Sequence, residues 1–244
     1  MDAHVTVTAM KRESSVSQVE SEEATPSERA RPRFGPSPAP SSARSPASAS
    51  VVVAFPSPLT PLRAVKSTLL MASVAALRET GHFDKYTAHL EPEFDDALLR
   101  AIAGTWVPER AARAHYTACD ALALSPPEQM AIGQRTGTGL SQHLTRVAGL
   151  VSRGAGVTPW WLFEQWNRFW ARTFDGGGVS VLKLGPKEAE VIYARCVLLE
   201  SPYFRSALRG VAMGLLGAVT QRSFMSELPA AGRVDEVRYR FSWI

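Results

Sequence analysis

Cysteine is scarce: Cys119 and Cys196 are the only two in 244 residues. Two thiols make neither a disulfide framework nor a zinc-binding spacing. Long apolar runs are missing as well. The longest, LLMASVAAL (69–77) and GVAMGLLGAV (210–219), fall short of the ~20 residues needed to cross a bilayer, so no membrane span is expected. The opening MDAHVTVTAMKRESS has no basic stretch leading into an apolar one, so no export signal is read there. A cytoplasmic protein is the default. Charge of one sign is lacking too. Residues 61–244 carry 21 Lys/Arg against 17 Asp/Glu, too small an excess to argue for nucleic acid.

Aromatic residues are nearly absent from the first sixty positions, where Phe34 and Phe55 stand alone among eight prolines and twelve serines. Such a segment buries too little apolar surface to offset the chain entropy lost on folding. Residues 1–58 therefore read as a disordered Ser/Pro-rich tail, and 59–244 as a single domain. The run VVVAF (51–55) could be an edge strand, but is left with the tail.

What is present beyond the tail is mostly helical at first. Thr60-Pro61 offers a capping hydroxyl and a first-turn proline. Leu62, Val65, Leu69, Val74 and Leu77 follow at helical spacing up to Gly81. Pro92 opens a second helix, with Phe94, Leu98, Leu99 and Ile102 on its buried stripe and Gly104 at its end. Trp106-Val107-Pro108 reads as a turn. Pro108 then starts a helix whose inner face holds Ala111, Ala112, His115 and Cys119. Pro126-Pro127 starts another, which Gly133, Gly137 and Gly139 would bend or break. Thr158-Pro159 caps an aromatic helix running to Phe174. It holds Trp160, Trp161, Trp166 and Trp170, four of the six tryptophans.

The period then changes to two. VSVLKL (179–184) and AEVIYA (189–194) flank a GPKE connection, which is a β-hairpin. Ser201-Pro202 caps a helix reaching about residue 222. In VDEVRYRFSW (234–243), Val237, Tyr239, Phe241 and Trp243 point one way and charged residues the other, as in a half-buried antiparallel strand. The fold class is α+β: a helical N-terminal half, then a β-hairpin, a long helix and a C-terminal strand, forming a small antiparallel sheet packed on helices.

This order of parts resembles an uncharacterised myxobacterial protein family. A Trp- and Arg-rich helix runs into GG-strand-GPKEA-strand, then a P-Y-F-R helix, then a strand ending Y-R-F-S-W; VKSTLLMASVAALRETG (65–81) and TW-P (105–108) fit as well. The family's domain is similar to the 4-vinyl reductase, haem nitric-oxide-binding and Golgi-transport ligand-binding domains. The resemblance covers roughly 62–243 and implies a non-catalytic binding module. Its sensor relatives hold haem through a histidine and a tyrosine-serine-arginine motif, which Tyr116–Asp120 does not supply. Others carry a cysteine cluster before the last strand, where this chain has LPAAGRVDE. No cofactor and no metal are expected.

Two readings of the aromatic helix stand side by side. A stripe of Trp and Phe is usually core. It could also wall an apolar pocket against the sheet, lined by Trp166, Trp170, Phe204 and Tyr239. Trp160 and Trp161 lie about 100° apart on a helix, so one could be exposed as a partner surface. Gly210 and Gly214 in the last helix permit close packing, or leave space for a ligand. His115 and Cys119 have the i,i+4 spacing of two metal ligands, but nothing completes a site. A hydrogen-bonded core histidine beside a buried thiol is the simpler reading. GQRTGTG (133–139) follows no strand and has no lysine, so it is no phosphate loop. The expected function is a regulatory or sensory module binding a small apolar ligand or a protein partner, a homodimer included. The alternative is a small enzyme with a cleft around His115, Arg168 and Arg172, helped by Asp120.

Overall fold

The computed structural model describes residues 49–151, 158–229 and 232–244, with side chains described outside 139–151. The elements run β1 (Ser50–Val53), β2 (Ala64–Lys66), α1 (Ser67–Glu79), α2 (Phe83–His89), α3 (Asp95–Leu99), β3 (Trp106–Pro108), α4 (Glu109–Asp120), α5 (Pro126–Val151), α6 (Pro159–Glu164), α7 (Trp166–Thr173), β4 (Phe174–Asp175), β5 (Gly178–Gly185), β6 (Glu188–Ala194), α8 (Pro202–Leu216), β7 (Ser223–Glu227) and β8 (Glu236–Trp243). This is an α+β fold with two antiparallel sheets packed on helices. Among the described residues no helix is long and apolar enough to cross a membrane.

The larger sheet has the order β1-β5-β6-β8-β7. Its inner face comes from alternate positions: Val179 and Val181, Ala189, Val191 and Tyr193, and Val237, Tyr239, Phe241 and Trp243 are all buried. On the outer face of β8, Arg238 is ion-paired to Glu190 and Arg240 to Glu188. Val51 and Val53 pair with β5, so the run left with the tail is an edge strand. The tail expected over 1–58 lies, for 1–48, outside the described residues. The smaller sheet, β3-β2-β4, has three very short strands. It replaces the helix start expected at Pro61: Val65 pairs with both Val107 and Phe174, and α1 begins only at Ser67. These pairings satisfy backbone groups that a helix would have satisfied internally.

The helices opened by Pro92 and Pro159 also differ from expectation, and α8 ends at Leu216, short of the expected 222. Pro92–Phe94 is a single 3-10 turn followed by the five-residue α3, and Ile102 lies beyond it, 75% exposed. The aromatic helix is two helices, broken at Gln165. Thr158 accepts the Trp161 N–H at 3.2 Å as the cap of α6, and Ser201 accepts the Phe204 N–H at 3.0 Å as the cap of α8, both as sequence suggests.

The glycines of α5 do not break it. A Cβ on Gly133 would lie 2.1 Å from the Ala207 carbonyl oxygen, and one on Gly210 would lie 2.1 Å from that of Met130. Side chains at these positions would hold α5 and α8 apart; their absence lets the two backbones touch. Gly210 and Gly214 of α8 are therefore a packing surface.

Candidate functional site

The aromatic segment is core first. Phe163 stacks on Trp166 with ring centroids 5.3 Å apart, and Trp170 on Phe174 at 4.0 Å. Phe163 also meets Phe241 and Trp243 of β8 at 5.5 Å. A buried indole needs a partner for its N–H. Trp166 Nε1 donates to the Tyr193 hydroxyl at 2.9 Å, Trp170 Nε1 to the Gly176 carbonyl at 3.0 Å and Trp160 Nε1 to that of Pro186 at 2.8 Å. Neither Trp160 nor Trp161 is exposed. Trp106 is, at 44%, with the Lys66 ammonium 4.0 Å from its ring centre.

The packing is incomplete on one side of α7. There α1, α4, α5, α7 and α8, with Phe174 of β4 and Tyr193 of β6, surround a half-open pocket of about 360 Å³. Trp166, Trp170 and Phe204 line it. Tyr239, Gly210 and Gly214 do not. Tyr239 is buried under the sheet, 5.9 Å from Tyr193, with its hydroxyl 3.3 Å from the Arg205 carbonyl oxygen. Gly210 and Gly214 face the backbone of α5. The pocket thus opens between helices rather than between the aromatic helix and the sheet.

Sequence reasoning missed the opposite wall: Thr68, Leu69 and Ser73 from α1, and Ile132, Gly133 and Thr136 from α5. Only the apolar periodicity of those helices hinted at it. The pocket's polar groups are few and mostly engaged. Thr136 and Thr173 donate to their own helix carbonyls at 3.0 Å. Tyr203 is held at the start of α8, its N–H donating to Asp120 Oδ1 at 2.8 Å. Its buried hydroxyl, near Ser73 and Cys119, has no hydrogen-bond partner of good geometry. Among the described residues Arg172 is the one charged side chain on the wall. It is exposed, and no hydrogen bond or ion pair holds it.

His115 is a satisfied core residue. Its Nδ1 lies 2.8 Å from the Tyr86 hydroxyl, its Nε2 3.0 Å from Ser73 Oγ and 3.8 Å from Cys119 Sγ. A neutral imidazole has one N–H and one acceptor nitrogen, and both are used. Burial lowers its pKa to about 3 and pushes the Cys119 thiol well above its usual value. The pieces of an enzyme site do not meet. His115 is sealed in the core, Asp120 caps Tyr203, and Arg168 is bound to Gln165 at 3.0 Å and lines a separate half-open cleft of about 430 Å³ with Arg63 and Asp175. No cluster of three metal-ligating side chains exists among the described residues.

No family model matches the sequence, and a search of curated proteins finds no match. Among solved structures the chain is similar to H-NOX domains. One, from work probing the function of heme distortion in the H-NOX family, is 9% identical over 73% of this chain and 94% of its own, with a TM-score of 0.49. A mutant H-NOX of T. tengcongensis is 9% identical over 73% and 97%, with a TM-score of 0.47. The H-NOX protein of S. oneidensis in the Fe(II)NO state is 14% identical over 73% and 99%, also at 0.47.

Proposed function

We propose that this chain is a non-catalytic regulatory or sensory module whose pocket takes a small, largely apolar molecule. The observation that carries this reading is the pocket of about 360 Å³ walled by Trp166, Trp170, Phe174 and Phe204. That volume lies within the ~300–1,000 Å³ usual for small-molecule sites. It is more than twice an engineered apolar cavity of ~150 Å³ that stays dry and accepts benzene. An aromatic-walled hollow of this size forfeits dispersion contacts that a ligand restores.

Haem, the group named for some of the structural neighbours, does not fit the described wall. No histidine, cysteine or methionine lines it, and these are the usual axial ligands. Tyrosinate is a rarer ligand, but burial raises the pKa values of Tyr116, Tyr193 and Tyr203. The nearby His115 has both nitrogens engaged.

The test is made on the full chain as purified, by native and denaturing mass spectrometry with an absorption spectrum of the same sample. The expected result is a low-mass adduct that disappears on denaturation. A bare mass, together with no saturable uptake of any apolar probe, would sink the reading.

A further inference from the structure

We propose that the pocket selects an apolar monoanion, such as a carboxylate on a flat or hydrocarbon body, with Arg172 receiving the charge at the pocket mouth. This rests on the ligand-binding reading above and names its ligand class. Three observations carry it. First, the wall is aromatic and aliphatic on most sides, so the body of the ligand must be apolar. Second, Arg172 is the one charged side chain on the described wall, and no acidic side chain stands there to offset it. A bound cation would meet an unopposed guanidinium; a dianion would find one partner for two charges. Third, Arg172 is exposed and unengaged, so its planar fork of donors is free to take a carboxylate in bidentate fashion.

The position is fixed from both sides. Trp170, two residues earlier in α7, is locked by its N–H bond to Gly176, and Thr173 is tied to the Phe169 carbonyl. The last turn of α7 is therefore rigid, while the Arg172 side chain reaches from it. The C-terminal end of a helix also favours a cation on this turn, which keeps the guanidinium where an anion approaches.

Two probes with the same apolar body separate the terms: 1-pyrenebutyrate and 1-pyrenebutanol. Binding to the full chain is read by energy transfer from tryptophan, since Trp166 and Trp170 form part of the wall. The expected result is about tenfold tighter binding of the carboxylate, the size of one charge-assisted hydrogen bond near a surface. The preference should shrink as salt rises and disappear in Arg172→Gln. Because Arg172 is exposed, this variant is expected to keep its fold, and pyrenebutanol affinity should fall far less than pyrenebutyrate affinity. Equal binding of the two probes to the native chain, or a preference that survives in Arg172→Gln, would overturn the proposal and leave the pocket reading standing. Binding of neither probe would overturn the proposal, and with a bare native mass and no uptake of other apolar probes the pocket reading would fall with it.

Discussion

Gly210→Ala is the sharpest test of the fold that shapes the pocket. A Cβ there would lie 2.1 Å from the Met130 carbonyl oxygen, 2.6 Å from the Gln134 nitrogen and 2.9 Å from the Gly133 carbonyl carbon. All three atoms are backbone, so no side chain can swing aside, and α5 and α8 must separate by roughly 1 Å. Overpacking of this kind costs ~1–3 kcal/mol, here at the upper end. Alanine's better helix propensity returns ~1 kcal/mol, leaving a net loss of about 2 kcal/mol. For a domain of this size each kcal/mol moves Tm by ~2–4 °C, so a fall of about 4–8 °C is expected by circular dichroism or calorimetry. Gly217→Ala is the control. It sits at the end of the same helix with ordinary negative φ, and its nearest neighbours are carbonyls of its own helix, the closer at 3.3 Å. It should shift Tm by no more than a degree or two. Equal effects of the two substitutions, or a stabilised Gly210→Ala, would refute the close approach of the helices.

Acid should destabilise the protein through His115. In the unfolded chain this ring protonates below about pH 6.5, whereas in the fold it resists until about pH 3. Its contribution is therefore fully present above pH 6.5 and lost as pH falls toward 3, at up to ~1.4 kcal/mol per pH unit. Urea midpoints at pH 7, 6 and 5 should fall in the native chain and fall less steeply in His115→Gln; identical slopes would contradict the burial. Two of the core tyrosine hydroxyls, those of Tyr203 and Tyr86, should behave oppositely. Tyr203→Phe removes a hydroxyl with no good partner and should leave Tm unchanged or raised. Tyr86→Phe strips His115 Nδ1 of its partner and should cost ~1–3 kcal/mol.

Where sequence and structure agree, the signal was periodic and long. Strict alternation from Val237 to Trp243 could only serve a one-sided strand, and the hairpin after Gly178 carried its own turn chemistry. Where they part, the determinants were remote. Ala64–Lys66, Trp106–Pro108 and Phe174–Asp175 are too short for any period, and they form a sheet only because they meet one another. Ser223–Glu227 is a mostly polar edge strand, indistinguishable from a loop until paired with β8. The break at Gln165 has no glycine or proline to announce it. Gly133 and Gly137 read as helix breakers in isolation, yet they are explained by Ala207 and Val211 on α8. The site followed the same rule. Trp166, Trp170 and Phe204 announced an aromatic wall, but Thr68, Ser73 and Ile132 opposite looked like ordinary helix positions. Tyr239 is on β8, which adds nothing to the described wall; there the larger sheet is represented by Tyr193 of β6.

The central claim is that the space between α7 and α8 admits a small molecule. It is tested most directly by titrating the full chain with 1-pyrenebutyrate, following energy transfer from tryptophan, beside the variant Ala207→Phe. Ala207 is a partly exposed wall residue, and a phenyl group there should occupy the space the probe needs. The account predicts saturable single-site binding to the native chain and at least tenfold weaker binding to a folded Ala207→Phe. Unchanged affinity in that variant, with its circular dichroism intact, would place the probe elsewhere and contradict the account.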